Sequence, residues 1–264
     1  MGILNVTPDS FSDGGRFQDS RDAVIRALEM EKEGADLIDV GGESTRPGAT
    51  PVTAEEELGR ILPVLKQLIG QLKIPVSVDT QKAVVAREAL WAGASLINDV
   101  SGLRDPQMGE VVAQAGVPVI LMHMRGTPAT MQKDPHYDNL IPEICRELKE
   151  SIQKAVAAGI ANDKVLVDPG LGFSKRLEDN LEILRNLRQI KALGFPVCIG
   201  PSRKSFIRHF VGSDPRNLFL GTAAAVVMGV FGGADMVRVH DVAGIRKVCA
   251  LADAMVRGSH GFSE

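Results

Sequence analysis

Seven glycines, Gly34, Gly70, Gly93, Gly116, Gly159, Gly194 and Gly233, recur where amphipathic or Ala/Leu-rich stretches ought to stop. Glycine enters the left-handed conformation that ends a helix at no steric cost, so each reads as a stop signal. Within a few residues a short aliphatic run follows: DLIDV, IPVSVD, SLINDV, VPVILM, KVLVD, FPVCIG and DMVRVH, with GILNV at the start as an eighth. Stretches such as 21–33, 53–69 and 178–193 space apolar residues by three and four, which predicts helices with one inward face. Strands apolar on both faces, alternating with helices, require a parallel sheet covered by helices. Eight such units in 264 residues match an α/β closed (β/α)8 TIM barrel. An open doubly wound sheet is the alternative, but no dinucleotide glycine fingerprint follows the first strand. With no linker or low-complexity segment, residues 1–264 read as one domain.

Composition narrows the function classes. The formal net charge of −3 excludes a chain-wide basic footprint for nucleic acid, and 4% aromatics leaves little for a base-stacking platform. No apolar run approaches the ~18 residues of a membrane helix, and the start MGILNVTPDS lacks a leader pattern, so a soluble cytoplasmic protein is expected. Cys145, Cys198 and Cys249 lie too far apart for a zinc pair, and their odd number predicts free thiols.

In a parallel barrel the C-terminal strand ends build the active-site face, and the polar residues crowd there. Strand 1 ends at Asn5, strand 3 at Asp79, strand 5 at Met122-His123 and strand 6 at Asp168; strand 4 carries Asn98. Strand 8 holds Arg238 and His240, two apart and so on one face. Asp99, Asp105 and Asp241 have the positions of capping or loop acids. Asp79, Asn98 and Asp168 in one pocket would stay unsatisfied without a ligand rich in donors, which points to a planar heterocycle bearing N–H groups. Arg238 and His240 at the mouth suit an anion, and Asn5 could give an amide oxygen to Mg²⁺. The SRKSF stretch lacks the second glycine of a nucleotide loop, and His123 and His136 lack a partner at metal-ligand spacing. The glycine-rich loops 6–17 and 41–50 have the make-up of segments that close over a reaction.

GILNVTPDSFSDGG, DVGGESTRPGA, SVDT, INDVSG, LMHMRGTP, DPGLGFSK, SRKSFI and RVHDV occur in order over essentially the whole chain. In these motifs the sequence resembles the dihydropteroate synthases, the folate-pathway enzymes inhibited by sulfonamides. The resemblance implies a transferase that joins (7,8-dihydropterin-6-yl)methyl diphosphate to 4-aminobenzoate and releases diphosphate. It implies that Asp79, Asn98, Met122, Asp168, Lys204 and Arg238 bind the pterin. Asn5, Thr45, Arg238 and His240 would hold the diphosphate, with Asn5 on Mg²⁺. Phe11, Thr45, Arg46, Pro47, Phe173, Lys204 and Ser205 would form the aminobenzoate pocket. Asp13, Arg46, Asp168 and Lys204 would serve catalysis, with Phe11 and Asp13 on a mobile first loop, and a homodimer would form through barrel helices.

The family usually carries a segment before the first strand, whereas Met1 begins almost in it here, and 264 residues leave no room for a fused pterin kinase. Three alternatives remain. One is a pterin-binding methyltransferase domain of a corrinoid system, against which SRKSFI and ESTRPGA speak. Another is a Schiff-base aldolase using Lys204, which would need an apolar setting that Arg203, Ser202 and Ser205 do little to provide. The last is a catalytically silent pterin-binding paralogue.

Overall fold

The computed structural model describes residues 1–7 and 20–258. All eight expected strands form: β1 (Gly2–Asn5), β2 (Ile38–Gly41), β3 (Val76–Asp79), β4 (Leu96–Asp99), β5 (Val119–Met122), β6 (Val165–Asp168), β7 (Cys198–Ile199) and β8 (Met236–Val237). The first six pair in parallel in chain order, and β7 pairs in parallel with β8. Single parallel bridges, Val167 to Val197 and Gly2 to Val239, join the two sheets at both seams and close the ring. All seven stop glycines have positive φ, from 64° at Gly116 to 107° at Gly93. The repeat in the sequence is therefore a repeat of helix ends.

The helices are α1 (Ser20–Lys32), α2 (Ala54–Leu68), α3 (Ala83–Trp91), α4 (Met108–Ala115), α5 (Leu140–Ala157), α6 (Leu177–Arg185), α7 (Leu187–Lys191), α8 (Ser205–Val211), α9 (Pro215–Phe231) and α10 (Val242–Arg257). One expectation is corrected: the single helix over 178–193 is two, broken at Asn186, whose φ of −112° and ψ of 16° are not helical. The Asn186 amide donates to the Glu182 carbonyl at 3.0 Å and accepts from Gln189 at 3.1 Å. A short amide that bonds nearby groups competes with the helical ladder, and the apolar spacing across the break conceals it.

Strand parity layers the barrel interior. Met1, Leu37, Leu96, Ile120 and Cys198 form an apolar cluster at its floor. Above it, Asp39 is the register partner of Ser77, and Asn5, Gly41, Asp79 and Asn98 stand side by side across β1 to β4. Met122 and Asp168 pair across β5 and β6 at the rim. Side chains two residues apart share a face, so polar groups from several strands meet above an apolar plug.

Candidate active site

Asp79, Asn98 and Asp168 are all buried at the C-terminal strand ends, on one rim of the ring. Asp79 meets Arg238, which follows β8, and Asn98 is joined to that arginine through Asp39. The Arg238 Nε donates to Asp39 Oδ2 at 2.5 Å and its Nη2 to Asp79 Oδ2 at 2.8 Å. Asn98 Nδ2 donates to the same Asp39 oxygen at 3.2 Å. Burial opposes the Arg238 charge, but Asp39 and Asp79 outweigh it and raise its pKa. Two carboxylates share this one guanidinium. Burial, with Asp39 adding to it against Arg238, pushes Asp79 up to about 7. Among the described residues, Asp39 Oδ1, Asp79 Oδ1 and Ser77 Oγ lie buried without a hydrogen-bond partner. Acceptors left in this state are what a ligand with several N–H groups would satisfy.

Asp168 stands at the end of β6, with one oxygen accepting the Gly170 N–H at 2.7 Å. Burial raises its pKa to about 6, while Gly170 and Lys204 pull it down. Gly170, at φ 74°, has no alternative, because a Cβ there would collide with the His123 carbonyl oxygen. Lys204 precedes α8 and sets its Nζ 4.0 Å above the centroid of the Phe173 ring. Burial and Arg238 lower its amine to about 8. The neighbouring serines and arginine thus do not keep Lys204 at its ordinary value, which corrects that part of the argument against a Schiff-base lysine.

His240 Nδ1 lies 2.9 Å from Ser202 Oγ, which also accepts the His240 backbone N–H at 3.2 Å. A hydroxyl that accepts from the amide can donate to Nδ1, which leaves the imidazole proton on Nε2. Burial, helped by Arg203 and Arg238, lowers His240 to about 3, so the ring is neutral at physiological pH. Thr45, Arg46 and Pro47 lie on the loop after β2, where the Gly48 N–H donates to the Pro128 carbonyl at 3.0 Å. Ser205 is exposed at the first turn of α8. Phe173 and Met122 pack with Val100, Met124 and Met131 in a separate apolar cluster. Phe11 and Asp13 lie outside the described residues.

Three acids behave as the sequence suggests. Asp99 accepts from Ser101 and Leu103, Asp105 from Ala83 and Gln107, and Asp241 pairs with Arg203. Asp39 is what sequence reasoning missed. It sits inside the aliphatic run of β2, two residues before Gly41, and the same parity that placed Arg238 beside His240 would have put it in the barrel. His123 is a buried core histidine, and His136 faces Asp138 at the surface.

Over residues 1–240 the chain matches a family model described as pterin binding enzyme. The chain belongs to that family. A Synechocystis sp. dihydropteroate synthase is 47% identical over 97% of this chain and 90% of its own length. The structure of Yersinia pestis dihydropteroate synthase in a sulfonamide drug complex superposes with a TM-score of 0.94 at 44% identity, covering 98% of this chain and 94% of that one. Xanthomonas albilineans dihydropteroate synthase with 4-aminobenzoic acid gives 0.90 at 46% identity, covering 97% and 92%. The acids, amide and arginine described above thus lie at one rim of a barrel that belongs to the pterin binding enzyme family.

Proposed function

We propose that this protein is a dihydropteroate synthase, joining (7,8-dihydropterin-6-yl)methyl diphosphate to 4-aminobenzoate. The observation behind this reading is the set of buried acceptors on one rim: Asp79, bonded to Arg238, with Asn98 beside it at the same strand level, and Asp168 at the end of β6. These acceptors match the amino and ring N–H groups of a pterin, with Met122 packing beside them. Asp39 holds Arg238 and Asn98 by its Oδ2, so it orients two groups that would meet the ring.

The reaction breaks the C–O bond to diphosphate and forms a C–N bond to the aniline, whose extra proton leaves. The methylene cation that develops is delocalised over the pterin. Asp168, ionised above about pH 6, would favour that positive charge. Arg238, and neutral His240 through its Nε2–H, would hold the departing diphosphate with Asn5 and Thr45. Aminobenzoate would lie along Phe173 and Lys204, with Thr45, Arg46, Pro47 and Ser205 on its carboxylate side and Phe11 and Asp13 from the first loop. An aniline nitrogen is already nucleophilic, so positioning and electrostatics suffice.

Mg²⁺ belongs in this reading through Asn5. Its Oδ1 lies 3.2 Å from where a Cβ on Gly41 would sit, so the glycine leaves space beside an oxygen donor. One amide oxygen, completed by diphosphate oxygens and water, suits Mg²⁺, which keeps several waters and favours phosphates. When bound it would neutralise charge on the diphosphate. We further propose a homodimer, supported by the exposed apolar residues Phe210, Leu220, Phe231, Leu251 and Met255 on α8 to α10. A cytoplasmic location accords with free Cys145, Cys198 and Cys249. Among the described residues no helix is long and apolar enough to cross a membrane.

A diphosphate-release assay tests the reading. Release should require both aminobenzoate and Mg²⁺, and a sulfonamide should compete with aminobenzoate. Pterin binding without release would mean a silent paralogue, and methyl transfer to a corrinoid would mean the other family activity.

A further inference from the structure

The loop that follows Asp168 is held by a buried lysine that none of these roles uses. Lys175 is 3% exposed. Its Nζ donates to the Phe173 carbonyl at 2.8 Å and to His123 Nδ1 at 3.0 Å. Among the described residues it makes no ion pair, an expensive arrangement for an ammonium unless its donors are all used. Burial lowers the Lys175 amine to about 7; in its ammonium form it only donates, so His123 Nδ1 then accepts and its Nε2–H donates to Glu147 Oε2 at 2.9 Å. Arg125 Nε donates to both oxygens of that Glu147, at 3.1 and 3.2 Å. The chain Lys175–His123–Glu147–Arg125 therefore ties the loop after β6 to the end of β5 and to α5.

The backbone between Asp168 and Lys175 needs such a tie. Gly170, Gly172 and Ser174 all have positive φ, and Ser174 is not a glycine. Ser174 keeps its φ of 48° while its Oγ accepts the Arg125 N–H at 2.9 Å and its carbonyl accepts the Tyr137 hydroxyl at 3.0 Å. Gly172 N–H donates to Asn180 Oδ1 at 2.6 Å. Phe173, between these points, is the residue whose ring meets Lys204, and Lys175 grips the carbonyl one bond from its Cα.

We infer that Lys175 is a positioning residue, an internal strut whose bond to the Phe173 carbonyl sets the Phe173 ring at the aminobenzoate side of the site. Naming that substrate rests on the function proposed above; the strut itself does not. Lys175 touches neither proposed substrate, and it acts through Phe173. The charged groups around it are Glu147 from α5, Asp168 from β6, Asp179 from α6 and Arg125 from the loop after β5.

Lys175→Met keeps length and removes both donated bonds. It should raise the KM for 4-aminobenzoate about tenfold while the pterin Kd stays within about threefold, since a displacement near 1 Å is enough for losses of this size. Combined with Phe173→Ala, it should add nothing to the KM of Phe173→Ala alone. Equal losses for both substrates, additivity with Phe173→Ala, or an unchanged KM would each overturn the inference. Should Lys175→Met not fold, His123→Gln serves in its place: it cuts the link to Glu147 that anchors Lys175, so the grip on the Phe173 carbonyl loosens, and no rise in aminobenzoate KM would refute the strut. Amide exchange reads the strut without substrate. Lys175→Met should speed exchange at residues 170–174 and not in β3 or β4, and unchanged exchange would refute it even in a chain that forms no dihydropteroate.

Discussion

Asp168 carries its charge under protest. Burial favours the neutral acid up to about pH 6, and the Gly170 N–H and Lys204 are what keep the carboxylate available above that. Since the useful form is the acceptor, the sign is unambiguous: pterin affinity should fall as pH drops through 6. Asp79, pushed up to about 7, should add a second decline above it. Asp168→Asn should cost about 1.5–3 kcal/mol of pterin binding at pH 8, the worth of one charge-assisted hydrogen bond. It should also remove the lower step of the pH profile. Calorimetric titration of pterin between pH 5 and 8 measures both, and an unchanged affinity would take Asp168 out of the pocket. Sequence placed Asp79, Asn98 and Asp168 at the rim because each ends or nearly ends a strand. It did not reveal Asp39, since a mid-strand acid announces itself only when register shows which way it faces.

Elements carry these residues with unequal clarity. The strand-loop unit from β6 to Ser174 was legible because glycines and an acid after an aliphatic run have few other uses. The break between α6 and α7 was not, because Asn186 disturbs the backbone without disturbing the apolar stripe. On the loop after β2, Gly48 is tied to Pro128, so Thr45 to Pro47 project from an anchored base. Arg46→Ala should therefore act locally. We expect the aminobenzoate KM to rise by about 10- to 100-fold, the loss of a charge-assisted pair to a carboxylate, with pterin binding unchanged when measured alone. Steady-state kinetics beside a pterin titration separates the two, and the reverse pattern would mean that this loop serves the other substrate.

At the scale of the whole molecule, ring closure turns residues far apart in sequence into neighbours. Arg238 reaches Asp39 across 199 positions and Asp79 across 159. The outside of the ring carries the remaining question of assembly. Leu251 and Met255, one helical turn apart on α10, are exposed on the same face. If that face joins two copies, Leu251→Glu with Met255→Glu should convert a sedimenting dimer to a monomer with its spectrum of secondary structure intact. A wild-type monomer, or a dimer that survives both changes, would refute the interface.

By itself the sequence determined the alternation of strands and helices, the places where helices stop, and the rim on which polar residues collect. Those follow from local rules: left-handed glycine, apolar period and strand direction. Only the tertiary structure decided that one arginine serves two acids, that Lys204 is depressed to about 8, and that a buried lysine braces the loop beside it. Such properties depend on distance and on exclusion of water between distant segments, and neither exists until the ring has closed.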